Sequence, residues 1–303
     1  MNKEKNTRAY LALLSIYIVW GTTYLAIRIG VEDLPPILFT GLRWIAAGPI
    51  LLLVLLLKKY KLPNKNDMFH LGVIGLLLIG GGNGLVVFAE QWIPSGLTAL
   101  LITTVPFWVV GIDALLPQGK KINLTILIGL LLGLVGVVLI FGGDFVRLID
   151  PSYLSGVIGL MFAVLLWSAG TLYSKYKKVT VHPLMGAATQ MIIAGIVITV
   201  LGLILGEGSK FHFTSSGFYS YLYLVIIGSL VGYGSYVYAI AHLPVSLVST
   251  YAYINPIIAL FLGWLILDEE ISLWVILAAA VILIGVTLVK KGSEKNILVQ
   301  NKS

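Results

Sequence analysis

The sequence predicts an all-α membrane protein of ten transmembrane helices, and three observations carry that expectation. Of its 303 residues, 58% are hydrophobic and only 11% are charged, with a mean hydropathy of +0.99. A soluble domain carries roughly 25% charged residues, so this chain has too little polar surface to cover a globule in water. Apolar runs of the roughly 20 residues needed to cross a bilayer recur along its whole length. Lysine and arginine, finally, are crowded into alternate loops.

The runs place spans near 9–29, 36–57, 68–90, 97–116, 124–141, 154–173, 184–205, 218–240, 246–267 and 273–290. Each ends at a breaker or polar cluster, such as Pro35-Pro36, Lys58-Lys59-Tyr60-Lys61, Pro117-Gln118-Gly119 or His182-Pro183. The connections are short and leave no room for a soluble domain. The first run is too long for a signal-peptide core and lacks a small-residue cleavage site, so it reads as a retained span. Of the twenty basic residues, sixteen fall on one set of loops and the two tails. Arg147 and Lys210 fall on the other set, and Arg28 and Arg43 lie within spans. Both termini are therefore expected in the cytoplasm of a multi-pass cell-membrane protein. The same distribution accounts for the net charge of +7 without nucleic acid.

Two spacings recur. Trp20 precedes Pro36 by sixteen residues, as Trp167 precedes Pro183; Pro94 precedes Pro106 by twelve, as Pro244 precedes Pro256. Residues 1–147 and 148–303 thus read as two copies of a five-helix unit. Five is odd, so the second copy enters the membrane from the opposite side. Such inverted repeats suit alternating access, because two bundles of opposite orientation can exchange shapes.

The ordered set of Trp20-Gly21, Pro36 with Arg43, Pro94-Ser95-Gly96-Leu97, Pro106, Leu243-Pro244, Asn255-Pro256 and Leu267-Asp268-Glu269-Glu270 resembles the drug/metabolite transporter superfamily, in its ten-helix EamA branch. The resemblance covers essentially the whole chain. It implies ATP-independent export or exchange of small metabolites, such as amino acids, or of drugs and toxic amphipathic compounds, through a central cavity between the halves. One departure is Gln118-Gly119-Lys120-Lys121, where the family usually carries a Gly-Glu pair. It points to altered lipid or gating contacts at the cytoplasmic rim.

Several residues are candidates for that cavity. Pro106 and Pro256, near mid-span, would each free a carbonyl four residues back, at Ile102 and Ala252, and act as hinges. Beside them stand Thr103, Thr104 and Trp108 in one half and Tyr251 and Asn255 in the other. Tyr233 and Tyr236 share a helix face at i, i+3, and the matched Trp20 and Trp167 complete an aromatic wall suited to amphipathic solutes. Arg43 and Gln190 each lie seven residues past a matched proline. That is about 10 Å of helix rise, too deep for easy snorkelling. Arg43 either attracts a substrate carboxylate or pairs with Glu90. Asp113 anchors a helix end or binds a proton, and Asn83 belongs to the close-packing run Gly80-Gly81-Gly82-Asn83-Gly84. Gly129 and Gly133 mark helix contacts within the chain or between two copies, which leaves a homodimer open.

Other function classes fare worse. There is no cysteine, no His-Glu-x-x-His and no phosphate-binding glycine loop, and the four histidines are scattered. That disfavours a membrane enzyme or an ATP-driven pump and calls for no metal or cofactor. A channel would want a repeated filter sequence and a sensor an effector domain. The partners expected are a small solute and the lipid bilayer.

Overall fold

The computed structural model describes the backbone of residues 3–93, 95–119, 122–141, 153–267 and 273–300, and most of their side chains. Pro94, Lys120-Lys121, the 147/148 border with Gly142-Gly143-Asp144, Arg147 and Asp150, and Asp268-Glu269-Glu270 lie outside the described residues, as do the side chains of Ser95-Gly96-Leu97.

The described chain is a bundle of helices: α1 (Lys3–Asp33), α2 (Pro36–Leu57), α3 (Lys65–Ala89), α4 (Ser95–Ile102), α5 (Val105–Leu115), α6 (Leu124–Phe141), α7 (Leu154–Tyr176), α8 (Pro183–Ile204), α9 (Ser215–His242), α10 (Val245–Val248), α11 (Tyr251–Leu267) and α12 (Leu273–Gln300). Among the described residues, eight helical stretches are long and apolar enough to span a membrane, with Thr98–Leu115 counted as one. Two shorter apolar stretches, Leu124–Leu139 and Val245–Ile258, accompany them. The last helix runs on to Gln300, ten residues past the apolar run that announced it. Large side chains such as Leu57, Leu115 and Ile204 face outward, more than three-quarters exposed. A soluble surface would not tolerate that belt, and lipid would cover it.

Local chemistry sets the helix starts. Pro36 and Pro183 open α2 and α8 at the first position, where the missing N–H costs nothing. Asn64 and Thr214 accept from the N–H groups of Asp67 (2.8 Å) and Gly217 (3.0 Å) to cap α3 and α9. Both α3 and α9 then relax into a π-helical stretch, Leu76–Asn83 and Leu224–Tyr233. A π turn inserts a residue and re-aims the face that follows. In each case that face turns inward.

Pro106 and Pro256 take different places in their helices. The first chain break falls at Thr103-Thr104, leaving Pro106 in the first turn of α5. The second falls at Ser249-Thr250, leaving Pro256 inside α11. Each break coincides with two adjacent hydroxyl residues that donate back three positions. Thr103 and Thr104 reach the carbonyls of Leu100 (2.5 Å) and Leu101 (2.8 Å), and Ser249 and Thr250 reach Ser246 (3.1 Å) and Leu247 (2.7 Å). These bonds tighten the last turn and offer the carbonyls partners outside the α-helical ladder.

Two glycine seams hold the bundle. Along α2–α8, a Cβ on Gly195 would lie 2.8 Å from the Ile45 nitrogen, and one on Gly202 would lie 2.9 Å from that of Leu38. Along α6–α12, Gly129 and Gly285 approach so closely that a Cβ on either would lie within 2.7 Å of the other's carbonyl oxygen. Gly129 and Gly133 are thus spent on contacts within the chain. Lipid gives no hydrophobic drive for helices to associate, so this close backbone approach carries the packing.

Polar contacts tie together the two ends. At one, Thr214 donates to Asp33, Ser220 to the Ala26 carbonyl, and Leu38 N–H to Glu207 (2.6 Å). At the other, Tyr176 donates to Asp113, Thr180 to Asp67, and Lys175 to the carbonyls of Ile240 and Leu243 (both 2.9 Å). Below, these are the Glu90 end and the Asp113 end.

The seams predict a sharp contrast. Gly195→Val should destabilise the protein by about 1–3 kcal/mol through overpacking. Gly111→Ala, where a Cβ meets nothing within 4 Å, should stabilise it by about 0.5–1 kcal/mol. Thermal unfolding of both variants in detergent checks this.

Candidate functional site

A cavity opens among α1, α2, α3, α4, α5, α7, α9 and α11. Arg43 supplies its charge. The Arg43 Nε donates to Ser229 Oγ at 2.7 Å, and the guanidinium lies 4.5 Å over the Trp44 ring. Its Nη1 is buried and has no hydrogen-bond partner among the described residues. A cation in this setting is costly unless its donors are satisfied, because water's contribution has been removed. Arg43 makes no pair with Glu90: Glu90's two carboxyl oxygens are buried and have no hydrogen-bond partner among the described residues.

Aromatic rings form the walls. Trp20 meets Trp167 edge to face at 5.4 Å, and also packs on Tyr251 (4.9 Å) and Tyr236 (5.0 Å). Trp44 stands edge-on to Tyr233 at 5.3 Å and donates to Asn83 Oδ1 at 3.3 Å. The Trp20 ring lies on Gly232 and the Trp167 ring on Gly82, where a Cβ would come within 2.6 and 2.7 Å. Gly82 and Gly232 are 150 positions apart, the same offset as Pro106 and Pro256. Each half therefore lays its tryptophan into the glycine notch that the other half's π-helical stretch presents. The Trp167 Nε1 is a second buried donor, with the Tyr236 and Tyr251 hydroxyls beside it.

Trp20, Arg43, Trp167, Tyr233 and Tyr251 all line the cavity. Gln190 stands behind it and accepts from the Tyr233 hydroxyl at 2.7 Å. Tyr236 is held by Thr171. Asn255 is buried, with its amide oriented to donate to the carbonyls of Tyr17 (3.2 Å) and Tyr251 (2.9 Å). Thr103 and Thr104 spend their hydroxyls on the break before α5, and it is their neighbours Ile102 and Val105 that line the cavity. Trp108 is 40% exposed on the outside of the bundle, because the break resets the helical register ahead of it. Asn83 lines the cavity, while Gly81 and Gly82 of its run pack on α7.

Four participants escaped the sequence reading: Thr23, Tyr24, Trp44 and Ser229. Trp44 carried a signal, since an arginine beside a tryptophan can stack on it. Ser229 carried none, because its role depends on α9 lying against α2.

Two stretches, residues 7–142 and 154–290, match the EamA-like transporter family. The chain belongs to that family. EamA-like relatives include the "Uncharacterized inner membrane transporter YedA" of Escherichia coli (strain K12), 36% identical over 282 residues, which cover 93% of this chain and 90% of the relative. The "Uncharacterized transporter YoaV" of Bacillus subtilis (strain 168) is 28% identical over 280 residues, covering 92% and 95%. One solved crystal structure superposes with a TM-score of 0.78 at 20% identity, covering 95% of this chain and 98% of that one, which establishes a shared fold. This EamA-like protein is a membrane transporter, set in a cell membrane by several apolar helices.

Tyr233→Phe leaves the Gln190 Oε1 buried without its donor and should cost about 1–3 kcal/mol of stability. Trp108→Ala, away from the cavity, should leave solute affinity unchanged. Thermal unfolding and solute-induced stabilisation of the two variants check the contrast.

Proposed function

We propose that the protein is a secondary carrier that exports or exchanges small amphipathic metabolites bearing a carboxylate, amino acids among them. The supporting observation is the Arg43 Nη1, a buried donor without an acceptor in an otherwise aromatic cavity. A ligand carboxylate would satisfy it with a charge-assisted bond, and the Trp167 N–H offers a second donor. The rings would take the apolar body of the same solute.

In this reading residues 1–147 and 148–303 are two five-helix repeats of opposed orientation, giving ten spans with both termini in the cytoplasm. The Glu90 end then faces outward, because the basic loops lie at the Asp113 end. Pro106, in the turn after the first helix break, and Pro256, inside the helix that follows the second, serve as hinges when the bundles exchange shapes in alternating access. Gln190, Tyr236 and Asn255 position the rings that meet the solute.

One observation favours a second reading. Three tryptophans and three tyrosines line the cavity and can enclose an organic cation, as a drug exporter would require. Arg43 opposes it, since its own charge already occupies the Trp44 face.

Uptake by proteoliposomes separates these readings. L-Phenylalanine, L-leucine, glucose and tetraphenylphosphonium form the panel, with no ATP present. An amino acid should show saturable flux, and Arg43→Gln should reduce it about tenfold or more at low solute, the effect of losing a bond to a charged group. Tyr251→Ala should weaken it as well. Cation flux indifferent to Arg43→Gln would instead establish the second reading. No flux of any solute by folded protein would favour a channel or a sensor.

A further inference from the structure

The carboxyl group of Glu90 is used by nothing described so far. Glu90 sits at the C-terminal end of α3, fully buried, and neither of its oxygens has a hydrogen-bond partner among the described residues. Burial without a donor is among the costliest settings for an ionised carboxylate, and a neutral carboxyl tolerates it far better. The C-terminus of a helix adds to the penalty, since the partial charge there is negative.

The position connects to the cavity. Val86 lines the cavity, and Glu90 lies four residues farther along the same face of α3. Tyr24 lines it from α1, and Arg28 follows four residues later on that helix. Arg28 and Glu90 therefore stand together, one turn beyond the cavity, at the Glu90 end. Arg28 does not pair with the carboxylate. It donates to the Glu90 main-chain carbonyl and, at 3.5 Å, to that of Gln91, and it lies 3.7 Å from Glu32. A guanidinium this close to an ionised carboxylate would be expected to take it in preference to main-chain carbonyls. The arrangement suits a neutral Glu90.

Few other charged groups face it. From α1 come Arg28 and Tyr24, with the largely exposed Glu32 behind Arg28. From α2 the charged group on the cavity is Arg43, a turn or more deeper. The part of α7 against Ala89 and Ile93 presents Gly156 and Gly159, and the outer half of α7 has no charged residue.

We propose that Glu90 is a proton-binding site that controls access to the cavity from its own end. With the proton bound, Arg28 holds the end of α3 by its main-chain carbonyls, tying α1 to α3. When the proton leaves, the charged carboxylate cannot stay buried without donors; it turns out to the water at the mouth, Arg28 follows it off the main-chain carbonyls, and the mouth beside Val86 loosens. The proton goes to the water at that mouth, so binding and release balance with no other reactant. The inference rests on the carrier reading only for the meaning of the cavity, and its test needs no transported solute.

The native chain has no cysteine, so a single introduced thiol is a unique reporter. In proteoliposomes carrying Val86→Cys, labelling by a membrane-impermeant maleimide is followed across a pH series. Rates are normalised to Ser209→Cys, an exposed position on the connection after α8, which removes the thiol's own titration. Infrared titration of the same protein monitors the protonated carboxyl band. With Glu90 present, the normalised rate should rise at least about tenfold between the protonated and ionised limits, the effect of about 1.4 kcal/mol on the opening equilibrium. The carboxyl band should disappear over the same pH range. Glu90→Gln, the isosteric neutral form, should hold the low rate at every pH and lack the titrating band; Glu90→Asp should restore a titration. A rate that follows pH equally in Glu90→Gln would overturn the proposal. So would a carboxyl band that titrates unchanged in that variant. These outcomes hold whether or not the cavity binds carboxylates, so failure here is distinct from failure of the flux experiment.

Discussion

The arrangement of the cavity depends on a buried guanidinium. Arg43 brings a permanent charge into the bundle, and each partner it has comes from a different part of the chain. Ser229 on α9 takes the Nε proton, Trp44 on its own helix offers a ring face, and Nη1 is left without an acceptor. Those demands fix α9 against α2 and place Trp44 so that it reaches Asn83 and Tyr233. Aromatic walls make the pocket apolar, which strengthens any bond Arg43 does form. The same features that make the arginine expensive make it selective.

Rigidity around this charge comes from contacts that carry no charge at all. The α2–α8 seam brings two backbones together over Gly195 and Gly202. The α6–α12 seam does the same on the other flank. Trp20 and Trp167 lock the two halves by ring-on-glycine contacts at Gly232 and Gly82. In lipid these close approaches take the place that hydrophobic collapse holds in water. The α-helical ladder is interrupted only locally, at the π-helical stretches and the hydroxyl-marked breaks among the described residues.

Much of this was legible in the sequence, for reasons that particular residues make clear. Pro36 and Pro183 sit at helix starts, so counting from them gives a dependable register. Arg43, Gln190, Trp20 and Trp167 accordingly fall at or directly behind the cavity. Counting from Pro106 failed because the break lies at Thr103-Thr104. Register is lost across that interruption, and Trp108 turns outward. Pro256 occupies the matched position and has a different conformation, since the hydroxyl pair in that half stands farther upstream. Short-range spacing therefore did not locate the breaks. The partners of Arg43 were hidden for another reason: a serine in a glycine-rich helix has no signature until the opposing helix is in place.

Binding offers the most direct test of the central claim, that Arg43 presents an unmet donor to the cavity. Calorimetric titration of the purified protein with 3-phenylpropionate and with 3-phenylpropanol compares a carboxylate and an alcohol on the same apolar body. The account predicts that the carboxylate binds about tenfold tighter or more, a difference of at least about 1.4 kcal/mol. It also predicts that the preference vanishes in Arg43→Gln. Equal binding of the two compounds, or a preference that survives the substitution, would contradict it.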